Sequence, residues 1–163
     1  MSVLELIKGK KDDNSGLLGV IEEALRAENW NFHRDADAPV LRTGANGKNS
    51  DFKAVFVVRE EHDSLFFYVE IAPKVPDGRR KEAADFLTRA NFGIGIGNFE
   101  MDMENGEVRY KISIDMEGGV LSHAMVNNII RTGFSTTDRY FPAFMSVCFG
   151  NAIPSVAIRE AET

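Results

Sequence analysis

Leu17, Leu18, Ile21, Ala24 and Leu25 recur at the three- and four-residue spacing of one helix face. Residues 16–28 therefore predict an amphipathic helix, with Ser15 placed to cap it. The period then changes. Trp30–Arg34 and Val40–Gly44 read as short strands around the turn Asp35–Pro39, and the polar cluster Ala45–Ser50 reads as a loop. Phe52–Glu60 is rich in Val and Phe, while Leu65, Phe67, Val69 and Ile71 alternate along Ser64–Ile71. Glu61, His62 and Asp63 between them form a hairpin tip. Pro73 and Pro76 end that strand, and Ala83, Phe86, Leu87 and Ala90 mark a second helix over residues 78–91.

Ile94–Met103 predicts a fifth strand, Glu104-Asn105-Gly106 a tight turn with positive φ angles, and Glu107–Met116 a sixth strand. In the sixth, Val108, Tyr110, Ile112, Ile114 and Met116 alternate with Glu107, Arg109, Lys111, Ser113 and Asp115, giving one buried and one wet face. In the fifth, Ile94 and Ile96 precede an apolar set of opposite parity, Phe99, Met101 and Met103. That switch calls for a bulge near Gly97-Asn98 or for burial on both faces at its start. Leu121, Ala124, Met125 and Ile129 predict a helix to about Arg131, stopped by Gly133. Ser135–Asp138 resembles a variant capping box that opens a further helix to about Phe149, with Pro142 near its start or at a kink. A last helix over residues 154–161 has Pro154 in its first turn.

One helix, four strands, one helix, a two-stranded hairpin and C-terminal helices predict an α+β fold, an antiparallel β-sheet with flanking helices. Residues 1–14 read as a flexible N-terminal tail and 15–163 as a single domain, without repeats or linkers. At 163 residues such a domain buries roughly 70% of its unfolded surface.

Charge and cysteine usage narrow the function. A net charge of −6 opposes nucleic-acid binding, which needs a basic face, and Lys8, Lys10 and Lys11 lie in the tail. The single cysteine, Cys148, excludes an intrachain disulfide and points to a reducing compartment. No apolar run reaches the roughly 18 residues of a membrane span, and the N-terminus carries no signal-peptide cleavage pattern. A cytoplasmic protein without membrane contact is expected.

Candidate chemistry is sparse. The Gly-x-Gly-x-Gly run Gly93–Gly97 lacks phosphate-loop spacing and leads toward a strand, not a helix N-terminus, so it reads as close backbone packing. His33, His62 and His123 are far apart and lack metal-ligand spacing. The acidic groups Asp35/Asp37, Glu60/Glu61/Asp63 and Asp102/Glu104 each fall at a turn, where charge is solvated. Cys148, between Val147 and Phe149, reads as a buried structural thiol. No catalytic residue, metal or cofactor is expected. Asp138-Arg139-Tyr140 reads as a polar lock, with Asp138 capping a helix and Arg139 in a salt bridge. Arg42 is either a partly buried cation tying sheet to helix or an edge residue.

A set of short motifs gives a family resemblance. They are Glu28-Asn29-Trp30-x-Phe32, Pro39-Val40-Leu41-Arg42-Thr43-Gly44 and Phe86-Leu87-Thr88-Arg89-Ala90-Asn91-Phe92-Gly93. Gly97-Asn98-Phe99-Glu100-Met101-Asp102, Gly106-Glu107-x-Arg109-Tyr110-Lys111 and Asp138-Arg139-Tyr140-Phe141-Pro142 complete the set. In this order, over about residues 16–160, they resemble the YbjN family, described as bacterial sensory transduction regulators. The resemblance implies a type III secretion chaperone-like fold, often a homodimer, and no established catalytic residues. The expected function is a non-enzymatic regulatory module that binds a protein or peptide partner at sheet edges or at Met- and Phe-lined grooves. The signature positions are Trp30, Arg42, Asn98, Tyr110, Asp138, Arg139 and Tyr140. Phe99, Met101 and Met103 are candidate interface residues. The alternative is a small-ligand sensor or enzyme with a pocket between helices and sheet, anchored by Arg42, Tyr110 and Arg139.

Overall fold

The computed structural model describes residues 16–163; the tail 1–14, with Lys8, Lys10 and Lys11, and the cap candidate Ser15 lie outside the described residues. Helix α1 covers Leu17–Ala27, with Gly16 at the N-cap position. Strands β1 (Phe32–Arg34), β2 (Val40–Asn46), β3 (Asp51–Arg59) and β4 (Ser64–Ile71) follow. Then come α2 (Arg80–Gly93), β5 (Asn98–Met101), β6 (Val108–Asp115), α3 (His123–Phe149) and α4 (Pro154–Glu162).

The six strands form one sheet in the order β1-β2-β3-β4-β6-β5, and every neighbouring pair is antiparallel. Alternation sorts the side chains. Leu41, Phe56, Phe67, Val69, Tyr110 and Ile112 point to the face that the helices cover, and there they join Ile21, Leu25, Phe86, Ile130 and Phe144 in one core. Each large apolar side chain fully buried in this way contributes about 1.5–3 kcal/mol. On the other face Val40, Val55, Val57 and Tyr68 form a smaller cluster with Ala38 and Phe66 against it. The guanidinium of Arg109 lies 4.3 Å from the Tyr68 ring centroid and that of Arg59 5.3 Å from Phe66.

The C-terminal half corrects several expectations. The predicted pair of helices is one helix, α3, of 27 residues. Ser122 caps it, its Oγ accepting from the Met125 N–H at 3.2 Å. Gly133 does not stop the helix; it lets the helix lie against the sheet, because a Cβ there would sit 2.6 Å from Phe67 Cε1. Asp138 is consequently a mid-helix residue and caps nothing. Its carboxylate accepts from the backbone N–H groups of Lys48 (3.1 Å) and Asn49 (2.8 Å), pinning the β2–β3 hairpin loop to α3.

The fifth strand is also shorter than its alternation suggests. Gly97 has φ +79°, and a Cβ there would meet the Lys111 carbonyl at 2.6 Å. The chain turns at this corner, so Ile94 and Ile96 belong to the connector from α2 and β5 begins at Asn98. No bulge is needed to explain the parity switch. The hairpin that follows runs through Asp102–Glu107 and is not a tight three-residue turn; of Asn105 and Gly106, only Gly106 has positive φ. Asp102 organises it, accepting from the Glu104 N–H and the Asn105 side-chain amide.

Candidate functional site

Because β5 begins only at Asn98, it pairs with β6 only over Val108–Lys111, whereas β4 pairs with β6 over the whole of Val108–Asp115. Among the described residues, no strand therefore lies beside the four residues Ile112–Asp115 on the β5 side. A cavity of about 390 Å³ opens at this edge. Its walls are the turn Ile96–Asn98, the β6 stretch Lys111–Ile114 and one face of α3 carrying Met125, Asn128, Ile129 and Thr132. Ile112 and Ile114 face the helix side, Ile96 is 58% exposed at the rim, and Asn128 is exposed on the helix.

The turn that makes this notch is fixed from inside. The buried Tyr110 hydroxyl donates to the Ile96 carbonyl, and its ring packs edge-on to Phe99 at 4.9 Å between centroids. Burial raises the Tyr110 pKa above its usual 10.0, keeping the hydroxyl a donor. The outer edge of β5 is covered differently. Asn91 on α2 uses its side-chain amide as a substitute strand, donating to the Phe99 carbonyl at 2.9 Å and accepting from its N–H at 2.7 Å. Asn91 falls within one of the family motifs, but nothing in the sequence signals this role, which depends on a helix lying beside a strand edge.

Charge is distributed unevenly around the notch. At its β5 end, Glu100 accepts from Arg109 Nε (2.5 Å) and Lys111 Nζ (2.8 Å) on the outer face. Burial alone would raise the Glu100 pKa, but these two cationic donors outweigh it and hold the carboxyl below its ordinary 4.5. At the other end, Asp115 lies with Glu61, His62, Asp63, Ser64 and Glu117 around a second, polar hollow. That end is acidic.

The signature positions are scattered. Trp30 stacks on Phe134 at 5.7 Å and 13° between planes. Arg139 donates from Nε to the Ala161 carbonyl (2.8 Å) and not to a carboxylate, and Tyr140 donates to Glu162 Oε1 (3.1 Å). With Asp138 on the hairpin loop, three consecutive residues thus hold three places. Arg42 is exposed on the outer face of the sheet, paired with Val55, whereas Tyr110 points to the helix face. Arg42, Tyr110 and Arg139 do not converge on one pocket. Asn98 lines the notch. Phe99 is 4% exposed and belongs to the core, Met101 is half-buried, and Met103 is 51% exposed in the hairpin loop.

Other chemistry is limited among the described residues. No group of three or more His, Cys, Asp and Glu side chains is arranged to hold a metal ion. No helix is long and apolar enough to cross a membrane. Burial pushes the Cys148 thiol up to about 12, against the opposing pull of the Arg79 guanidinium.

Comparison with known proteins agrees with this architecture. No curated protein matches the chain. The fold is similar to the crystal structure of YbjN from E. coli, described as "a putative transcription regulator", with TM-score 0.53 and 14% identity over 93% of this chain and 95% of that one. It is also similar to a chain of the ExsC–ExsE complex, with TM-score 0.50 and 12% identity over 78% of this chain and 95% of that one. The α+β architecture is thus that of YbjN and of the type III secretion chaperone ExsC. A family model described as "Putative bacterial sensory transduction regulator" matches residues 18–146, most of the length, and the chain belongs to this YbjN family.

Proposed function

We propose that this chain is a non-enzymatic regulatory protein that acts by binding another protein, and that it does so as a homodimer. The observation that carries the reading is the open edge of β6 beside an apolar cavity. Unpaired strand backbone next to alternating pockets is the arrangement by which sheets recruit extended segments. Membership of a regulator family and the likeness to one chain of a two-protein complex point the same way.

Immobilised full-length chain should recover a protein from native lysate in a saturable manner that excess free chain competes away. Repeated failure to recover any saturable partner removes the reading. Light scattering tests the dimer separately, because a monomer mass across micromolar concentrations excludes it.

A second reading, a small-ligand sensor or enzyme, draws on the cavity volume, which lies within the range of small-molecule sites. Such sites fix their ligands with convergent polar groups. Here the charged lining residue, Lys111, is already bonded to Glu100, and Arg42 is on the opposite face. The protein-binding reading is therefore preferred.

A further inference from the structure

We propose that the notch beside β6 seats an extended peptide of another protein, running antiparallel to β6, with basic residues at its N-terminal end and apolar side chains at alternate positions after them. This deepens the protein-binding reading above and rests on it.

The direction follows from register. Strand β5 runs antiparallel to β6 and pairs Asn98 with Lys111, so a strand continuing its line beyond Asn98 would lie opposite Ile112–Asp115. The connector does not take that place, because the corner at Gly97 sends Ile96 elsewhere and Tyr110 holds it there. An incoming strand in the vacant line has its C-terminal end near Asn98 and its N-terminal end near Asp115.

The chemistry follows from what each end and face presents. Positions opposite Ile112 and Ile114 point toward α3, into a space walled by Met125 and Ile129, and call for apolar side chains. The N-terminal end arrives beside Asp115 and Glu117, with Glu61 and Asp63 of the β3–β4 turn on the far side of β6, so lysine or arginine is attracted there and an acidic residue repelled. Intervening positions face outward with Ser113 and are polar. The stretch Gly44–Asn46 of β2, which β1 does not reach, lacks these features: its residues are small or polar, and it ends at the loop held by Asp138.

The test uses the full chain and short fluorescein-labelled peptides. One carries two lysines followed by alternating isoleucine and threonine; a second has the same composition with the lysines last; a third has glutamates in place of the lysines. Fluorescence anisotropy should give the basic-first peptide at least tenfold tighter binding than either of the others, weakening as salt rises. Asn128→Trp, an exposed helix position that would fill the notch, should abolish binding. Glu117→Lys should narrow the preference for the basic-first peptide, because the remaining carboxylates keep that end acidic but less strongly so. Unchanged binding by Asn128→Trp overturns the seat, and equal affinity for the three peptides overturns the polarity.

If the chain dimerises and Asn128→Trp alone makes it monomeric, the occupant is a second copy and the proposal fails. The same holds if a peptide of residues 1–14 binds more tightly than the basic-first peptide. A lysate partner that Asn128→Trp still recovers, while no peptide binds, sinks this inference and leaves the protein-binding reading standing.

Discussion

Asn49 supplies to the Asp138 carbonyl the hydrogen bond that Pro142 cannot. Four residues on in α3, a proline has no N–H to donate, and Asn49 Nδ2 from the β2–β3 loop reaches the vacated oxygen at 2.9 Å. The same amide is 3.2 Å from Asp138 Oδ2. A loop side chain thus completes a helix interrupted by its own sequence, and hairpin and helix hold each other in place.

Asn49→Ala should therefore cost about 1–2 kcal/mol in urea denaturation. Pro142→Ala restores a helical donor, so the cost of Asn49→Ala should shrink in that background. Equal costs in both backgrounds would show that the carbonyl bond carries no coupling.

Gly133→Ala should destabilise the protein even though alanine is the better helix former. Helix propensity favours the change by about 1 kcal/mol. Against it, the new methyl would sit 2.6 Å from the ring of Phe67, which is itself fully buried against Phe56 and Phe134. Repacking costs of about 1–3 kcal/mol follow from such crowding. A Tm at or above that of the parent would show that the helix can shift away from the sheet.

Acid should act partly through Glu100. Its folded pKa lies below the ordinary 4.5, so in the window below that value the unfolded chain takes up the proton first. Stability from Glu100 is present above 4.5 and is lost as pH falls through the lower, folded pKa. Glu100→Gln should be less stable than the parent near neutrality, with the gap narrowing as pH is lowered from about 5 toward 3. A gap independent of pH would mean that Arg109 and Lys111 do not stabilise the carboxylate.

Cys148 should be inert. With its thiol pushed up to about 12 and 2% of its surface exposed, little thiolate is available near pH 8. Disulfide reagents should modify it only as fast as the protein opens, and denaturant should accelerate the reaction steeply. Rapid labelling of the folded protein would place the thiol in contact with solvent.

Local alternation made much of the fold legible. Leu17 to Leu25 gave α1, and the strict period of Val108 to Ile114 gave β6 with its buried face correctly assigned. The errors arose where a residue's meaning depends on a distant neighbour. Gly133 looks like a helix terminator until Phe67 is set against it, and Pro142 looks like a start or kink until Asn49 is placed behind Asp138. The notch was hidden for the same reason. The parity switch between Ile96 and Phe99 marks Gly97-Asn98 as irregular, but within one long strand it reads as a bulge or as two-faced burial, and only the Lys111 carbonyl, distant in sequence, shows that Gly97 turns a corner.

The short reach of β5 also bears on solubility. An exposed strand edge is a template for self-association, and segments of about six or seven residues suffice to seed cross-β stacking. The open run of β6 is four residues, closed at one end by β5 and at the other by the chain's departure toward Gly118-Gly119. It offers enough backbone to hold a short strand and too little to propagate a fibril. By setting the length of that run, Gly97 limits how far any pairing there can spread.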